Sequence, residues 1–220
     1  AGHLPLAFSF FRPSHIEEQG IDPVLRGLAA QRCQEIDSML VDDVRNMLFG
    51  EHGPGFDLAA LNIQRGRDHG LPSYTEVCAA LGMTPATEFH DINPDPVVWE
   101  RLAAVYDHVD HVDCWVGGLC EPHVRGSMTG PMIRRILVDQ FTRLRDGDRF
   151  YYEHHLPKKL VRLVEAQSLA TIIRRNTGIG AELPDKVFTV RDSKRPTGRP
   201  KTSPPRKKKE NKERLQSGRR

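Results

Sequence analysis

An all-α fold is the expectation from three observations. Apolar residues recur at three- and four-residue spacing through most of the first 180 positions, the period of a helix buried along one face. Several of these stripes open at Asp or Ser, twice with Pro next, which are residues that begin helices. Only residues 186–190, Lys-Val-Phe-Thr-Val, have strand character, and the run is short.

In chain order, Asp22-Pro23 reads as a cap with Pro at the first helical position, starting a short helix to about Ala30. Asp37 or Ser38 reads as the cap of a second, with Leu40, Val41, Val44, Met47 and Leu48 on one face. Asp57 caps a third helix, which Gly66 or Gly70 ends, and Ser73 starts a fourth that runs to about Gly82 with Val77 and Leu81 inward. Asp95-Pro96 opens a helix carrying Val98, Leu102, Val105 and Tyr106. Residues 131–145 align Ile133, Ile136, Leu137, Phe141 and Leu144, and residues 157–175 align Leu160, Leu163, Val164 and Ile172. The Arg145-Asp146-Gly147-Asp148 run reads as a turn between helices, with Gly147 relaxing the backbone. No internal repeat is visible.

Charge divides the chain in two. Residues 191–220 hold thirteen Lys and Arg against three Asp and Glu, so with a whole-chain charge of +3 residues 1–190 carry −7. The basic stretch has almost no large apolar residue and is expected to be disordered, because it cannot bury enough surface to offset its ordering entropy. Residues 1–190 form the helical body. No apolar run approaches the 18 or so residues that span a bilayer, and no signal peptide opens the chain. Ala1 in place of Met suggests a processed or missing start. The four cysteines leave the redox compartment open. Cys114 and Cys120 are near enough for a small disulfide loop but match neither a zinc ribbon nor a CxxC pattern.

The chemistry concentrates at residues 61–70, LNIQRGRDHG, which place an amide, two guanidiniums, a carboxylate and an imidazole on an apolar-flanked helix. Heme presents a flat apolar ring and two carboxylates, and its axial histidine needs an acceptor to orient it. Leu58 and Leu61 could face the ring, Arg65 a propionate, and the Asn62 carbonyl an axial imidazole N–H. The alternative is that Arg65, Arg67 and Asp68 form an ion-pair cluster tying loops to the body.

The wider sequence resembles the animal-type heme peroxidases, the group of myeloperoxidase, thyroid peroxidase and peroxidasin. The motifs that carry the resemblance are Gly20-Ile-Asp-Pro-Val-Leu-Arg-Gly-Leu28, the LNIQRGRDHGLPSY run from Leu61 to Tyr74, and Trp115-Val-Gly-Gly118 with Glu121-Pro122. Thr129-Gly-Pro131, the QFTRLRDGDRF run from Gln140 to Phe150, and Asn176-Thr-Gly-Ile179 follow. Six motifs in the family's order cover roughly residues 4 to 180.

The resemblance implies an all-α heme-peroxidase-like domain, of which residues 1–190 are the C-terminal part. It implies heme as cofactor, with Asn62 holding the proximal His, Arg65 meeting a propionate, and Leu48, Leu58 and Leu61 lining the proximal side. Arg67, Asp68 and His69 are expected to be structural. The family's distal His, distal Arg, calcium loop and proximal His precede the motif that begins at Gly20, and only 19 residues stand before it here. Neither His3 nor His15 has the proximal context, so no iron ligand and no catalytic residue is assigned. The vertebrate disulfide scheme does not carry over, since Arg135 and Arg174 stand at two of its cysteine positions. Arg134, Arg135 and Arg174 place charge where the animal enzymes are apolar or small, implying either more exposed helices or a divergent branch.

His108 and His111, with Asp107, Asp110 and Asp113, have HxxH-like spacing for a metal, but so acidic a stretch at a helix end reads as a solvated face. His154-His155 likewise reads as surface.

The function implied is a heme-dependent peroxidase that reduces hydrogen peroxide and oxidises halide, phenolic or protein substrates. The chain would be a partial domain whose apolar faces the missing N-terminal half covers, in an extracellular or lumenal setting. The alternative is a catalytically inactive, truncated peroxidase-like protein that binds polyanions through residues 191–220.

Overall fold

The computed structural model describes residues 4–46 and 57–190; Met47, Leu48 and residues 191–220 lie outside the described residues. Among the described residues twelve α-helices follow one another: α1 (Ser14–Gln19), α2 (Asp22–Ala30), α3 (Asp42–Arg45), α4 (Leu58–Asp68), α5 (Tyr74–Ala80), α6 (Phe89–Ile92), α7 (Pro96–Val105), α8 (Cys114–Cys120), α9 (Pro131–Gly147), α10 (Tyr152–His155), α11 (Lys158–Glu165) and α12 (Leu169–Asn176). Among the described residues no strand forms, and one isolated antiparallel bridge joins Ser73 to Asp113. The fold is all-α.

Local chemistry places several boundaries where the sequence puts them. Asp57 accepts from the Ala60 N–H to start α4. Ser73 and Glu76 form a reciprocal capping box on α5, and Asp95 accepts from the Val97 N–H at α7. Gly70 rather than Gly66 ends α4. Its φ of +64° turns the chain so that the Leu71 N–H reaches the Gly66 carbonyl at 3.0 Å.

Four expectations are corrected. The second helix starts at Asp42, because Asp37 spends its carboxylate on the Met39 N–H at 2.7 Å, an Asx turn that competes with helix. Residues 157–175 form two helices, since Ser168 caps α12 and breaks the stripe. Helix α9 runs through Gly147, and the turn comes one residue later, where Asp148 accepts from the Phe150 N–H. The strand-like residues 186–190 find no partner strand, and Val187 packs instead against the second of two cores.

The first core joins Tyr74 and Cys78 of α5, Ile92 of α6, Leu102 of α7, Val109, Val112, Cys120 of α8 and Met132 of α9. The second joins Ala170, Ile173, Ile179 and Leu183, with Leu25 and Ala29 of α2 against them. The Asp22 carboxylate accepts from the Gly178 N–H at 3.0 Å, and Arg26 donates to Glu182 at 3.0 Å, so the N-terminal helices are tied to the C-terminal ones.

Glu121 organises the first core. It is buried, and its two oxygens accept from the Tyr74 hydroxyl and the Met132 N–H, each at 2.9 Å. The second bond satisfies an orphan amide in the first turn of α9, where the helix dipole also favours an anion. Burial nevertheless raises the Glu121 carboxyl above its usual range, opposed by the hydrogen bonds from Met132 and Tyr74. Glycines make room for the close approach: a Cβ on Gly117 would meet the Tyr74 ring at 2.4 Å, and one on Gly130 would meet Glu121 at 2.2 Å.

All four cysteines are free thiols, and burial pushes those of Cys78, Cys114 and Cys120 up. Cys114 and Cys120 stand at opposite ends of α8, about 9 Å apart along its axis, too far to bridge.

Much of the predicted apolar striping faces outward. Ile136, Leu137, Phe141 and Leu144 of α9 and Leu160, Leu163 and Val164 of α11 are exposed; only Met132 of α9 is buried. Arg134 and Arg135 lie on the exposed part of α9.

Replacing Glu121 with Ala strips the acceptor from a buried hydroxyl and a helix N–H. The expected loss is about 2–4 kcal/mol of stability, read from denaturant unfolding; a loss under about 0.5 kcal/mol, the scale of an ordinary surface change, would show that Glu121 does not organise this core.

Candidate functional site

Helix α4 carries four of the five residues picked out from the sequence. At about 100° per residue, Leu58, Leu61, Asn62 and Arg65 fall within an arc of about 100° on one side of it. Leu58 and Asn62 are half-buried, while Leu61 and Arg65 are exposed. Among the described residues, neither the Asn62 amide nor the Arg65 guanidinium has a hydrogen-bonding or ionic partner. The fifth residue, Leu48, lies outside the described residues.

The other polar residues of the helix are spent on structure. Gln64 donates to Asp68 at 2.7 Å, one turn away. Arg67 makes a two-pronged contact with Asp113 at the start of α8, Nε to Oδ1 at 2.9 Å and Nη2 to Oδ2 at 2.7 Å. The Tyr106 hydroxyl also donates to Asp113 Oδ2, at 2.7 Å. Arg67 holds the Asp113 carboxyl below the usual carboxylate range against the opposing effect of burial. Burial first, and then the bond to Asp113, pushes the Tyr106 phenol up to about 12. His69 follows as the exposed C-terminal residue of the turn.

Tertiary partnering therefore separates the charged residues of α4 into two kinds. Arg67 belongs to the ion-pair reading, and Arg65, two positions away, does not. Asp113, Tyr106, Tyr74 and Glu121 were not singled out as partners in the sequence. The signal that could have found them is their place in the motifs, since Tyr74 closes LNIQRGRDHGLPSY and Glu121 follows Trp-Val-Gly-Gly.

Of the His/Asp stretch, Asp107, His108, Asp110 and His111 lie on the surface, while Asp113 is half-buried against Arg67 and Tyr106. His108 caps a short 3₁₀ turn (Val109–His111), accepting from the Asp110 N–H. His111 Nδ1 lies 2.6 Å from Asp107 Oδ1; the carboxylate raises the imidazole and the imidazole lowers Asp107. Asp110 accepts from the Thr75 hydroxyl at 2.8 Å. Among the described residues, no group of three or more His, Cys, Asp or Glu is placed to hold a metal ion. No described helix is long and apolar enough to cross a membrane.

The donor set on α4 fits a heme edge: aliphatic side chains beside an unpartnered guanidinium and an amide, on a helix pinned from its far side. Comparison with known proteins identifies the class of this all-helical body. The chain belongs to the animal haem peroxidase family, whose model matches residues 1–188.

Among its relatives is peroxinectin A of Dictyostelium discoideum, 42% identical over 175 residues, covering 79% of this chain and 33% of that protein. Thyroid peroxidase of Sus scrofa is 36% identical over 197 residues, covering 86% and 21%. The solved structure of peroxidase A from D. discoideum superposes with a TM-score of 0.75 at 40% identity, over 80% of this chain and 35% of that one. A fatty acid alpha-dioxygenase of Oryza sativa shares the fold at 24% identity, with a TM-score of 0.65 over 74% of this chain and 29% of that one. The chain thus spans about a third or less of the length of these proteins.

Asp113 supplies a pH test. Its folded value lies below its unfolded one, so its contribution to stability is present above about pH 4, the unfolded carboxylate value, and is lost as pH falls through the folded value. Because the Arg67 side chain is 58% exposed, solvent screens the pair to about 1 kcal/mol or less. Asp113→Asn should lower stability at pH 7 and flatten the acid limb of a stability-versus-pH curve. An unchanged acid limb would remove this pair from the account.

Proposed function

We propose that this chain supplies the proximal-side wall of a heme peroxidase domain, the whole of which reduces hydrogen peroxide and oxidises a halide, phenolic or protein substrate. The observation that carries the reading is the α4 arc, with Leu58 and Leu61 beside a partner-free Asn62 and Arg65. Bound heme would supply the redox chemistry. The residues here would hold and orient it: Arg65 would donate to a propionate, the Asn62 side-chain carbonyl would accept the N–H of an imidazole that holds the heme, and the two leucines would lie against the ring. An acceptor on the imidazole N–H makes the ligand more basic and fixes its rotation. No residue of this chain is assigned as the iron ligand.

The outward apolar stripes of α9 and α11 support a contact with the rest of such a domain, because exposed faces of that extent mark surfaces built to be covered. An extracellular or lumenal setting is part of the same reading.

In a full peroxidase containing this chain, Asn62→Ala and Arg65→Ala should each weaken heme binding, roughly 10–100-fold for the outer-shell amide, and lower turnover. Soret titration and oxidation of a phenolic dye measure both. Heme affinity and activity unchanged in both variants would sink the assigned roles.

The charge of residues 191–220 supports a second activity, binding of polyanions. Affinity of the chain for heparin should fall steeply between 50 and 200 mM salt, by roughly 10³–10⁵ if the contacts number as many as six to ten. A flat salt response would exclude the electrostatic account.

A further inference from the structure

Arg67 lies about 170° around α4 from the centre of the Leu58, Leu61, Asn62 and Arg65 arc. A two-pronged guanidinium–carboxylate contact fixes direction as well as distance, since both prongs must align in one plane. The far end of this contact is itself immobile. The Asp113 carbonyl accepts the first-turn Gly117 N–H of α8 at 2.9 Å, and Ser73 forms an isolated antiparallel bridge with Asp113. The Tyr74 N–H donates to the Val112 carbonyl at 2.9 Å, and the Tyr106 hydroxyl holds the Asp113 carboxylate from α7. Helix α4 is therefore clamped on one flank to a junction where α5, α7 and α8 meet.

The packed side of α4 offers little else to resist rotation. Its half-buried residues are Leu58, Ala59, Asn62, Ile63 and Gly66, and no residue of the helix is fully buried. Ala59 and Gly66 provide little ridge to interdigitate, which leaves Leu58 and Ile63 as the large apolar side chains on this side. Arg67 is the one side chain of this helix that reaches another helix through a hydrogen bond among the described residues.

We infer that Arg67, acting through Asp113 and Tyr106, is the positioning residue that sets the rotation of α4 and so aims Asn62 and Arg65 at the heme edge. This rests on the heme reading of the α4 arc given above. Loss of the clamp lets the helix roll, and a roll of one residue's spacing, about 100°, carries Asn62 and Arg65 out of the arc entirely.

The test uses a full peroxidase containing this chain, with Arg67→Gln, Arg67→Lys, Tyr106→Phe and Asn62→Ala beside the unsubstituted protein. Hydrogen exchange of residues 58–68 reports the clamp without any ligand. Hemin titration, followed at the Soret band, reports the aim. Arg67→Gln should speed exchange in α4 about fivefold, the scale of one screened ion pair, with exchange in α5 and α8 unchanged. It should also weaken hemin binding by a similar factor and shift the Soret maximum. Tyr106→Phe should do the same to a smaller extent, and Arg67→Lys, which keeps the charge but one prong, should restore part of both. Asn62→Ala should weaken hemin binding with α4 exchange unchanged.

If Arg67→Gln leaves α4 exchange and the Soret titration as in the parent chain, the positioning role is overturned. If exchange rises equally in α4, α5 and α8, Arg67 is a general stabiliser and the proposal also fails. If Asn62→Ala leaves hemin binding unchanged, the heme reading of the arc fails and takes the aiming role with it, while α4 exchange still shows whether Arg67 clamps the helix.

Discussion

A carboxylate sealed inside a helical body raises the free energy of the fold unless its lone pairs are answered, and Glu121 is answered from two directions. The Tyr74 hydroxyl meets one oxygen and the first turn of α9 the other. One side chain thereby connects α5, the end of α8 and the longest helix of the molecule, and does so with directional bonds where apolar contact alone would permit sliding. The surrounding glycines follow from this. Gly117 admits the Tyr74 ring, Gly118 admits Met132, and Gly130 admits the Glu121 stem, in each case at distances that a Cβ would occupy. The motif that runs from Trp115 to Pro122 is thus a packing device as much as a sequence marker.

A second polar junction lies nearby at Asp113, and its character is different. Asp113 is mostly buried but its partner Arg67 is largely exposed, so the pair contributes little energy and much geometry. It sets which side of α4 turns toward the body. The opposite arc is left with an amide and a guanidinium that no described residue engages, beside two leucines. The proposed heme reading rests on these partner-free polar groups, carried by a helix that Asp113 holds from another side.

The same economy is absent from α9 and α11. Their apolar stripes are as regular as any in the chain, yet they face outward. Burial of a helix face requires a neighbour, and the chain spans about a third of the length of peroxinectin A and of peroxidase A. Periodicity reports that a face is built to be buried; it carries no information on which polypeptide supplies the cover.

What the sequence determined by itself is what arises from interactions within about four residues. The Asp57, Ser73 and Asp95 caps and the α4 grouping of Leu58, Leu61, Asn62 and Arg65 were legible, and the stop of α4 was narrowed to Gly66 or Gly70, because caps and helical faces depend on residues i to i+4. Even at this range Asp37 misled, since its carboxylate satisfies a turn as readily as a helix. The tertiary structure decided the rest. Arg67 meets Asp113 across 46 positions and Tyr74 meets Glu121 across 47, and nothing in local spacing distinguishes Arg67 from Arg65. The strand-like residues 186–190 had no partner strand to pair with, and Val187 joined an apolar core instead. Pairing partners and burial are properties of where distant segments meet, which only the assembled fold specifies.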